Sequence, residues 1–330
     1  MGNKIIGKLP RNIYIFFVLV GGVLPFIFRH DSFLLLLMCL AGISIIAVAG
    51  LNILFGYSGQ ISLGHAAFYC IGAYTSAILS RNHHVPVFIS IFLGAALATL
   101  FAILIAIPTV KLVRHFLALV TISFGQLVFL FVANARPLTE GFSGMSFIPR
   151  PSIGGFEFNT NFLFYFIVYF FLLVFMFVKK RIIDSSTGRA FIAIREDPNA
   201  AEGMGINLTR FKVMAFAISA FYTGFAGALY AHLVTFISPE TFDREQSVIF
   251  LTMLLFGGMG NMYGPIFGGI ALTAITEYLH IFGGYQMLIY GMFLLFIVVF
   301  IPSGITRGIN VRKLFEIRKR GKGERNNVGS

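Results

Sequence analysis

Long apolar runs, separated by short polar loops, make up most of this sequence. Several of them reach about 20 residues, the length that an α-helix needs to cross the hydrocarbon core of a bilayer. Of the 330 residues, 57% are hydrophobic and 12% are charged, whereas soluble domains carry about 25% charged residues. Because lipid offers the backbone no hydrogen-bond partners, such runs fold as helices. The sequence therefore predicts an all-α, polytopic membrane protein with about ten transmembrane helices.

The distribution of basic residues predicts the orientation of these helices. With both termini in the cytoplasm, 20 of the 25 Lys and Arg residues lie on the cytoplasmic side, as the positive-inside rule requires. The net charge of +12 therefore reflects membrane topology and argues against binding to nucleic acid. If Ile61–Ser80 failed to cross, residues 179–212 would lie outside, so we expect this small-residue segment to span. The predicted spans are Asn12–Phe28, Phe33–Leu54, Ile61–Ser80, Val85–Ile107, His115–Val132, Phe162–Val178, Phe211–Ile237, Val248–Gly260, Pro265–Phe282 and Met287–Ile301.

Glycines crowd the eighth and ninth predicted spans. Gly260 and Gly264 are four positions apart, a spacing that lets helix backbones approach closely in lipid. Pro265 follows directly and indicates a broken helix. Such a break is tolerated at membrane depth only where it is surrounded by protein or where it lines a cavity. Two full spans and one re-entrant hairpin fit the charge distribution equally. Phe55–Gln60 and Phe256–Asn261 also share the pattern Phe-Gly-x-x-Gly-amide, a faint internal repeat of a kind common in transporters.

One polar interruption, residues 179–212, divides the apolar runs. Within it, Asp197 is placed to cap a short helix, with Pro198 at the first helical position. Gly203 or Gly205 can end the helix after about two turns, on the order of 10 Å. A helix this short meets either another protein or the membrane surface, or it merely links two spans.

Sequence motifs exclude several classes of function. No Gly-x-x-x-x-Gly-Lys-Ser/Thr loop is present, so this chain does not bind ATP in that manner. No catalytic or metal-binding motif stands out, which argues against a membrane-embedded enzyme. The two cysteines lie within apolar runs and are expected to be small buried side chains. These features favour a permease whose energy comes from a separate ATPase, with the short helix as the element that transmits motion.

Three stretches of the chain match the sequence motifs of one known permease family. Leu51–Tyr74 resembles the family segment N-x-x-x-G-Y-[ST]-G-Q-x-S-L-G-H-A-A-F. Arg195–Ile206 is similar to its cytoplasmic motif R-x-x-x-x-A-A-x-x-x-G-I. Ser238–Pro265 is similar to its signature S-P-E…G-G-x-G-x-x-x-G-P. Thr139–Gly144, Tyr290–Met292 and Pro302–Ile305 match further family patterns, so the resemblance covers nearly the whole chain. On these motifs the chain resembles the permeases of branched-chain amino acid ABC importers, specifically the M-type (LivM-like) subunit.

The resemblance implies the partners of this chain. They are a second, H-type permease subunit, two P-loop ATPase subunits that bind ATP and Mg, and an extracytoplasmic binding protein that delivers leucine, isoleucine or valine. No cofactor is expected on this chain itself. The implied location is the bacterial inner membrane, with residues 1–306 as one permease domain and residues 307–330 as a basic cytoplasmic tail.

The resemblance also implies two groups of site residues. A group that couples the chain to an ATPase comprises Arg195, Asp197, Ala200, Ala201, Gly205 and Ile206. A group that lines or hinges the translocation path comprises Gly56, Gly59, Gln60, Ser62, Gly64, His65, Gly257, Gly258, Gly260, Asn261 and Gly264. Plain packing explains each member of the second group equally well. Two other functions remain open, a urea or short-amide importer permease and a stand-alone secondary carrier.

Overall fold

The protein is described here from a computed structural model, which covers residues 21–109, 114–153, 156–279, 285, 288–292 and 295. The predicted spans Asn12–Phe28 and Met287–Ile301 and the basic tail lie wholly or mostly outside these residues. The helices are α1 (Ser32–Leu51), α2 (His65–Asn82), α3 (Val87–Thr109), α4 (Arg114–Asn134), α5 (Arg136–Thr139), α6 (Asn161–Asp184), α7 (Ser186–Glu196), α8 (Pro198–Gly203), α9 (Leu208–Val234), α10 (Arg244–Gly257) and α11 (Gly264–Leu279).

Five helical stretches of the described chain have the length and composition to cross a membrane. They are Ser32–Tyr57, Val87–Thr109, Phe116–Asn134, Asn161–Asp184 and Leu208–Val234. Each agrees with a predicted span to within a few residues, which confirms an all-α, multi-pass membrane protein. The total of ten spans stays a prediction.

The third predicted span, Ile61–Ser80, is wrong at its start. Helix α1 continues into a π-helix, Asn52–Tyr57, and the chain then leaves helical geometry from Ser58 to Gly64 before α2 begins at His65. This break is largely buried among helices, so its polar groups find protein partners, as membrane-embedded irregular backbone requires. Hydropathy does not reveal such a break because buried backbone bonds depend on tertiary contacts.

Helix α9 is the centre of the bundle and packs against α1, α2 and α3. Small residues allow the close approach: a Cβ on Gly72 would lie 2.0 Å from the carbonyl oxygen of Gly224, and one on Gly227 would lie 2.0 Å from that of Tyr69. In lipid, such backbone proximity supplies the packing that the hydrophobic effect supplies in water.

Helices α10 and α11 form a hairpin joined by the turn Gly258–Tyr263. At 1.5 Å per residue, the 14 residues of α10 span about 21 Å, less than the roughly 30 Å of a hydrocarbon core. Helix α11 is described over 16 residues, to Leu279. The predicted break at the glycine cluster is confirmed as the turn between these two helices.

The two ends of the bundle differ in structure. At one end, which we call the coupling end, residues 185–207 connect α6 to α9 through α7 and α8. At the opposite end, residues 135–160 contain α5, a 3₁₀ turn and two-residue strands β1 (Ser152–Ile153) and β2 (Phe156–Glu157). Met145 there pairs with Ile237, which ties this loop to the chain after α9.

Candidate functional site

A group of buried polar contacts joins the break between α1 and α2 to the turn between α10 and α11. We call it the junction; it comprises the π-helix Asn52–Tyr57, the break Ser58–Gly64 and the turn Gly258–Tyr263. The Asn52 side chain is fully buried and binds the turn twice. Its Nδ2 donates to the carbonyl oxygen of Asn261 at 2.6 Å, and its Oδ1 accepts from the backbone N–H of Gly260 at 2.9 Å. An intramembrane amide thus satisfies two backbone groups of the turn.

Gly56 and Gly260 allow the two halves of the junction to touch. A Cβ on Gly56 would lie 1.9 Å from Asn52 Oδ1 and 2.6 Å from the nitrogen of Gly260. Gly260 has φ +68°, which L-residues with a side chain rarely adopt. The two copies of the repeated Phe-Gly pattern therefore contact each other in space.

Two cations reach the junction from the coupling end. The Arg195 guanidinium, carried by α7, donates from Nη1 to the carbonyl oxygen of Gly56. The Arg195 side chain also packs over Gly59, where a Cβ would lie 3.0 Å from Arg195 Cγ. Lys179 of α6 is fully buried, and its Nζ donates to the carbonyl oxygen of Met262 at 3.2 Å. Carbonyl dipoles from both halves of the junction therefore face a positive charge.

The break itself is held by side-chain hydrogen bonds. Gln60 Nε2 donates to Ser58 Oγ at 2.9 Å and to the carbonyl oxygen of Lys212 at 3.2 Å. Ser58 Oγ in turn donates to the carbonyl oxygen of Leu54 at 2.7 Å. Gln60 thereby fastens the break to the first turn of α9.

His65 closes the other end of the break as a buried, doubly hydrogen-bonded residue. Its Nδ1 lies 3.0 Å from Ser62 Oγ, and its Nε2 lies 2.7 Å from Ser219 Oγ of α9. Beside it, a Cβ on Gly64 would lie 2.2 Å from the carbonyl oxygen of Thr121, so α4 packs directly on the backbone of the break. The contacts of His65 are those of a packing residue that fixes helix positions.

Backbone contact also joins the two helices of the α10–α11 hairpin. A Cβ on Gly257 would lie 1.9 Å from the carbonyl oxygen of Gly264, and one on Gly264 would lie 2.3 Å from that of Gly258. Asn261 Oδ1 accepts from the N–H of Tyr263 at 3.0 Å. The side chain of Asn261 thus stabilises its own turn.

The helix predicted in the polar interruption is present as α8, at the coupling end. Asp197 accepts from the N–H groups of Asn199 at 2.9 Å and Ala200 at 3.2 Å. Ile206 N–H donates to the carbonyl oxygen of Ala201 at 3.1 Å, and Gly205 N–H donates to that of Glu202 at 2.9 Å. These two bonds form a Schellman motif with Gly205 at φ +81°, so the predicted caps are confirmed at both ends.

The surface of α8 is divided between the bundle and solvent. Ala201 is 2% exposed and faces the bundle, whereas Ala200 and Gly205 are exposed and Met204 is 82% exposed. Ile206 is half-buried. Within the coupling group, then, Ala200 and Gly205 lie at the surface while Arg195 reaches inward to the junction.

Three features of the coupling end differ from the sequence-based picture. Residues 179–184 belong to α6 and residues 208–212 to α9, so the connection between helices is shorter than 179–212. A second helix, α7, precedes α8 and buries Phe191 and Ile194 against the bundle. The short helix therefore has a packed support, which the alternation of polar and apolar residues in Ser186–Glu196 could have indicated.

The sequence-based site group left out Asn52 of the junction. It also left out three residues that contact the junction or the adjoining His65, namely Lys179, Lys212 and Ser219. A polar Asn within an apolar run was the available signal for Asn52, since intramembrane polar residues are functional candidates. Lys179 and Lys212 were assigned to a loop because of their charge. Among the described residues, no three His, Cys, Asp or Glu side chains are grouped so that they could hold a metal ion. The junction instead offers amides, glycine backbone and two cations.

Comparison with known proteins identifies the family. A model of the family described as the permease component of branched-chain amino acid transport systems matches residues 33–301. The high-affinity branched-chain amino acid transport system permease proteins LivM of Salmonella typhimurium and of Escherichia coli are each 33% identical to this chain over 286 residues, which cover 80% of this chain and 67% of the relative. LivH of Salmonella typhimurium is 25% identical over 285 residues, covering 80% of this chain and 91% of that protein. No solved structure matches the chain significantly. With the match extending over most of its length, the chain belongs to the permease components of branched-chain amino acid transport systems and resembles LivM within them.

Proposed function

We propose that this chain is one of two permease subunits of an ATP-driven importer for leucine, isoleucine and valine, and that α8 is its contact with an ATPase subunit. The observation that carries the proposal is the connection from α8 to the junction. Helix α8 presents an exposed, firmly capped surface, and Arg195, three residues before it begins, binds the π-helix at Gly56. The surface proposed to contact the ATPase and the side chain that binds the junction therefore lie within one short segment of the chain.

The partners in this proposal follow the family. The second permease subunit is LivH-like, two P-loop ATPase subunits bind ATP and Mg, and an external binding protein delivers the amino acid. The similarity of this chain to both LivM and LivH supports a pair of related permeases. The membrane is the bacterial inner membrane, with the coupling end and both termini in the cytoplasm, as the charge distribution favours.

The junction is proposed to act as a hinge rather than as a binding site for substrate. Gln60, Ser62 and Asn261 each direct a polar side-chain atom to another group of the protein. Motion of α7 can pull on Gly56 through Arg195, and Gly56 lies against Gly260 of the hairpin turn. Two helix breaks that touch through glycine can change their relative angle with few side-chain rearrangements. An apolar amino acid needs few charged contacts in transit, so a hinge of this kind is compatible with its passage.

Reconstitution into liposomes tests the proposed function. We expect leucine uptake only when the chain is combined with its second permease, both ATPases, the binding protein and ATP. Uptake by this chain alone, without ATP, would instead establish a secondary carrier. Urea or short-amide uptake in place of leucine uptake would establish the other importer class. The similarity to the LivM proteins, which are branched-chain amino acid permeases, favours leucine uptake.

A surface substitution tests the role of α8 separately. Met204→Glu changes an 82% exposed side chain, so insertion and folding are expected to be unaffected while ATPase co-purification and uptake fall at least tenfold. Leu138→Glu is the matched control, because Leu138 is 45% exposed at the opposite end of the bundle. Ala201 is unsuitable for this purpose because it is buried. Normal ATPase co-purification by Met204→Glu, equal to that of Leu138→Glu, would refute the contact.

A further inference from the structure

A membrane-embedded groove runs between α3, α6 and α9, on the outside of the bundle. Its volume is about 420 Å³, and it is lined by Phe92 and Thr99 of α3, by α6 side chains between Phe171 and Ile182, and by α9 residues 217, 218, 221 and 222. The rim side chains Phe92, Val174 and Val178 are 38–48% exposed. The groove is therefore open along its side, where lipid surrounds the bundle.

The lining of the groove presents only hydrocarbon. The two hydroxyl groups among its residues are turned to backbone carbonyls: Thr99 Oγ1 donates to Ala95 at 2.7 Å, and Tyr222 Oη donates to Phe175 at 2.9 Å. With its own polar atoms satisfied, the groove offers an occupant dispersion contacts and no hydrogen bonds. This chemistry fits an acyl chain.

Basic residues stand at the coupling end of the groove. Arg210 precedes Ala217 by seven residues, two helical turns, and so lies on the groove face of α9, where its side chain is exposed. Arg181 lies beside Ile182 on α6, is exposed, and holds its guanidinium 5.1 Å above the ring of Phe177. The Tyr222–Phe175 bond sets the two helices in register, which puts Arg210 about 8 Å beyond the level of Ile182. Asp184 is the acidic residue nearest in sequence to Arg181. Its backbone carbonyl oxygen lies 3.5 Å from Nη1 of Arg189.

We propose that this groove binds an anionic phospholipid, with one acyl chain between α3, α6 and α9 and the phosphate held by Arg181 and Arg210. The charge of the two arginines selects the anionic lipid, and the groove selects the site on the bundle. Basic residues at the cytoplasmic ends of transmembrane helices attract anionic headgroups in this way. The lipid would link the coupling ends of α6 and α9, which are the two helices that α7 and α8 connect. The proposal does not depend on which solute the permease carries.

Lipid retention by the full chain with its partner permease tests the proposal. Native mass spectrometry compares retained phosphatidylglycerol with retained phosphatidylcholine, and a phosphatidylglycerol with a photoreactive acyl chain locates the site. We expect preferential retention of phosphatidylglycerol and labelling within residues 171–182 and 213–222. Arg181→Gln and Arg210→Gln should each weaken phosphatidylglycerol retention by about fivefold and leave phosphatidylcholine unchanged.

Matched variants separate a specific site from general lipid contact. Arg189→Gln with Arg244→Gln removes two exposed arginines elsewhere and should retain phosphatidylglycerol normally. Ala217→Trp fills the groove and should abolish labelling there, whereas Ile270→Trp, on the 53% exposed face of α11, should not. If Ala217→Trp fails to fold, Ala217→Leu gives the same test with a smaller side chain.

Four results would overturn the proposal. The first three are equal retention of both lipids, equal loss in the Arg189/Arg244 control, and absence of groove labelling in the assembled permease pair. The third result would assign the groove to a helix of the partner permease. Labelling that persists in Ala217→Trp would equally reject the groove as the acyl-chain site.

Discussion

Substitution of Gly56 by alanine is the most direct test of the junction. The added methyl group would lie 1.9 Å from Asn52 Oδ1 and 2.6 Å from the backbone nitrogen of Gly260. Neither neighbour can remain where it is, because both separations are far shorter than van der Waals contact. Asn52 must therefore release the turn, and its hydrogen bonds to Asn261 and Gly260 are lost.

The expected loss of stability follows from those two bonds. Each hydrogen bond contributes about 0.5–1.5 kcal/mol net, and a buried group left without a partner costs about 1–3 kcal/mol. Replacing a helical glycine by alanine stabilises the helix itself by about 0.5–1 kcal/mol, which offsets part of this loss. The net destabilisation is about 1–3 kcal/mol, which corresponds to a fall in Tm of about 1–4 °C for a chain of 330 residues.

A thiol-reactive dye provides the assay. Cys39 and Cys70 are both buried, so they react only when the bundle opens on heating in detergent. Gly203→Ala is the matched control, since nothing lies within 4 Å of a Cβ there and its φ is not positive. We expect its Tm to equal or slightly exceed that of the parent protein.

A double-mutant cycle with Asn52→Ala examines the cause of the loss. Both single substitutions remove the same two hydrogen bonds, so their effects should be strongly non-additive. A Tm for Gly56→Ala no lower than that of Gly203→Ala would refute the junction geometry. Additive effects in the cycle would refute the role of Asn52.

Three further substitutions are predicted to have distinct effects. Lys179→Met removes a buried cation that donates to the carbonyl oxygen of Met262. We expect a Tm, measured with the same dye, that is unchanged or higher, together with reduced leucine uptake in proteoliposomes. A large fall in Tm would contradict this expectation. Gly205→Ala strains a position with φ +81° by about 1 kcal/mol, so hydrogen exchange within α8 should quicken about fivefold, whereas Gly203→Ala should leave it unchanged. Arg195→Lys replaces a planar guanidinium with a single ammonium group, so ATPase co-purification should persist while uptake falls, and equal uptake would remove Arg195 from the transmission path.

The membrane class, the long spans and the caps of α8 were predictable from sequence because each depends on neighbouring residues. Apolar length determines which helices can cross lipid, and Asp197 and Gly205 act on backbone groups within four residues of themselves. The family match likewise confirms the resemblance that the motif around Gly56–His65 indicated. The break at Ser58–Gly64 was missed because its stability depends on partners such as Lys212, which is 152 residues away from Gln60.

The repeated Phe-Gly pattern shows the division between sequence and structure most clearly. The sequence by itself determined that Phe55–Gln60 and Phe256–Asn261 are alike and glycine-rich, since both need backbone freedom where a helix ends. Only the tertiary structure decided that they touch each other, that Asn52 joins them and that Arg195 ties them to α7. The physical reason is range: caps and apolar periodicity act within a few turns of helix, whereas the close approach of two backbones some 200 residues apart depends on how the whole bundle packs.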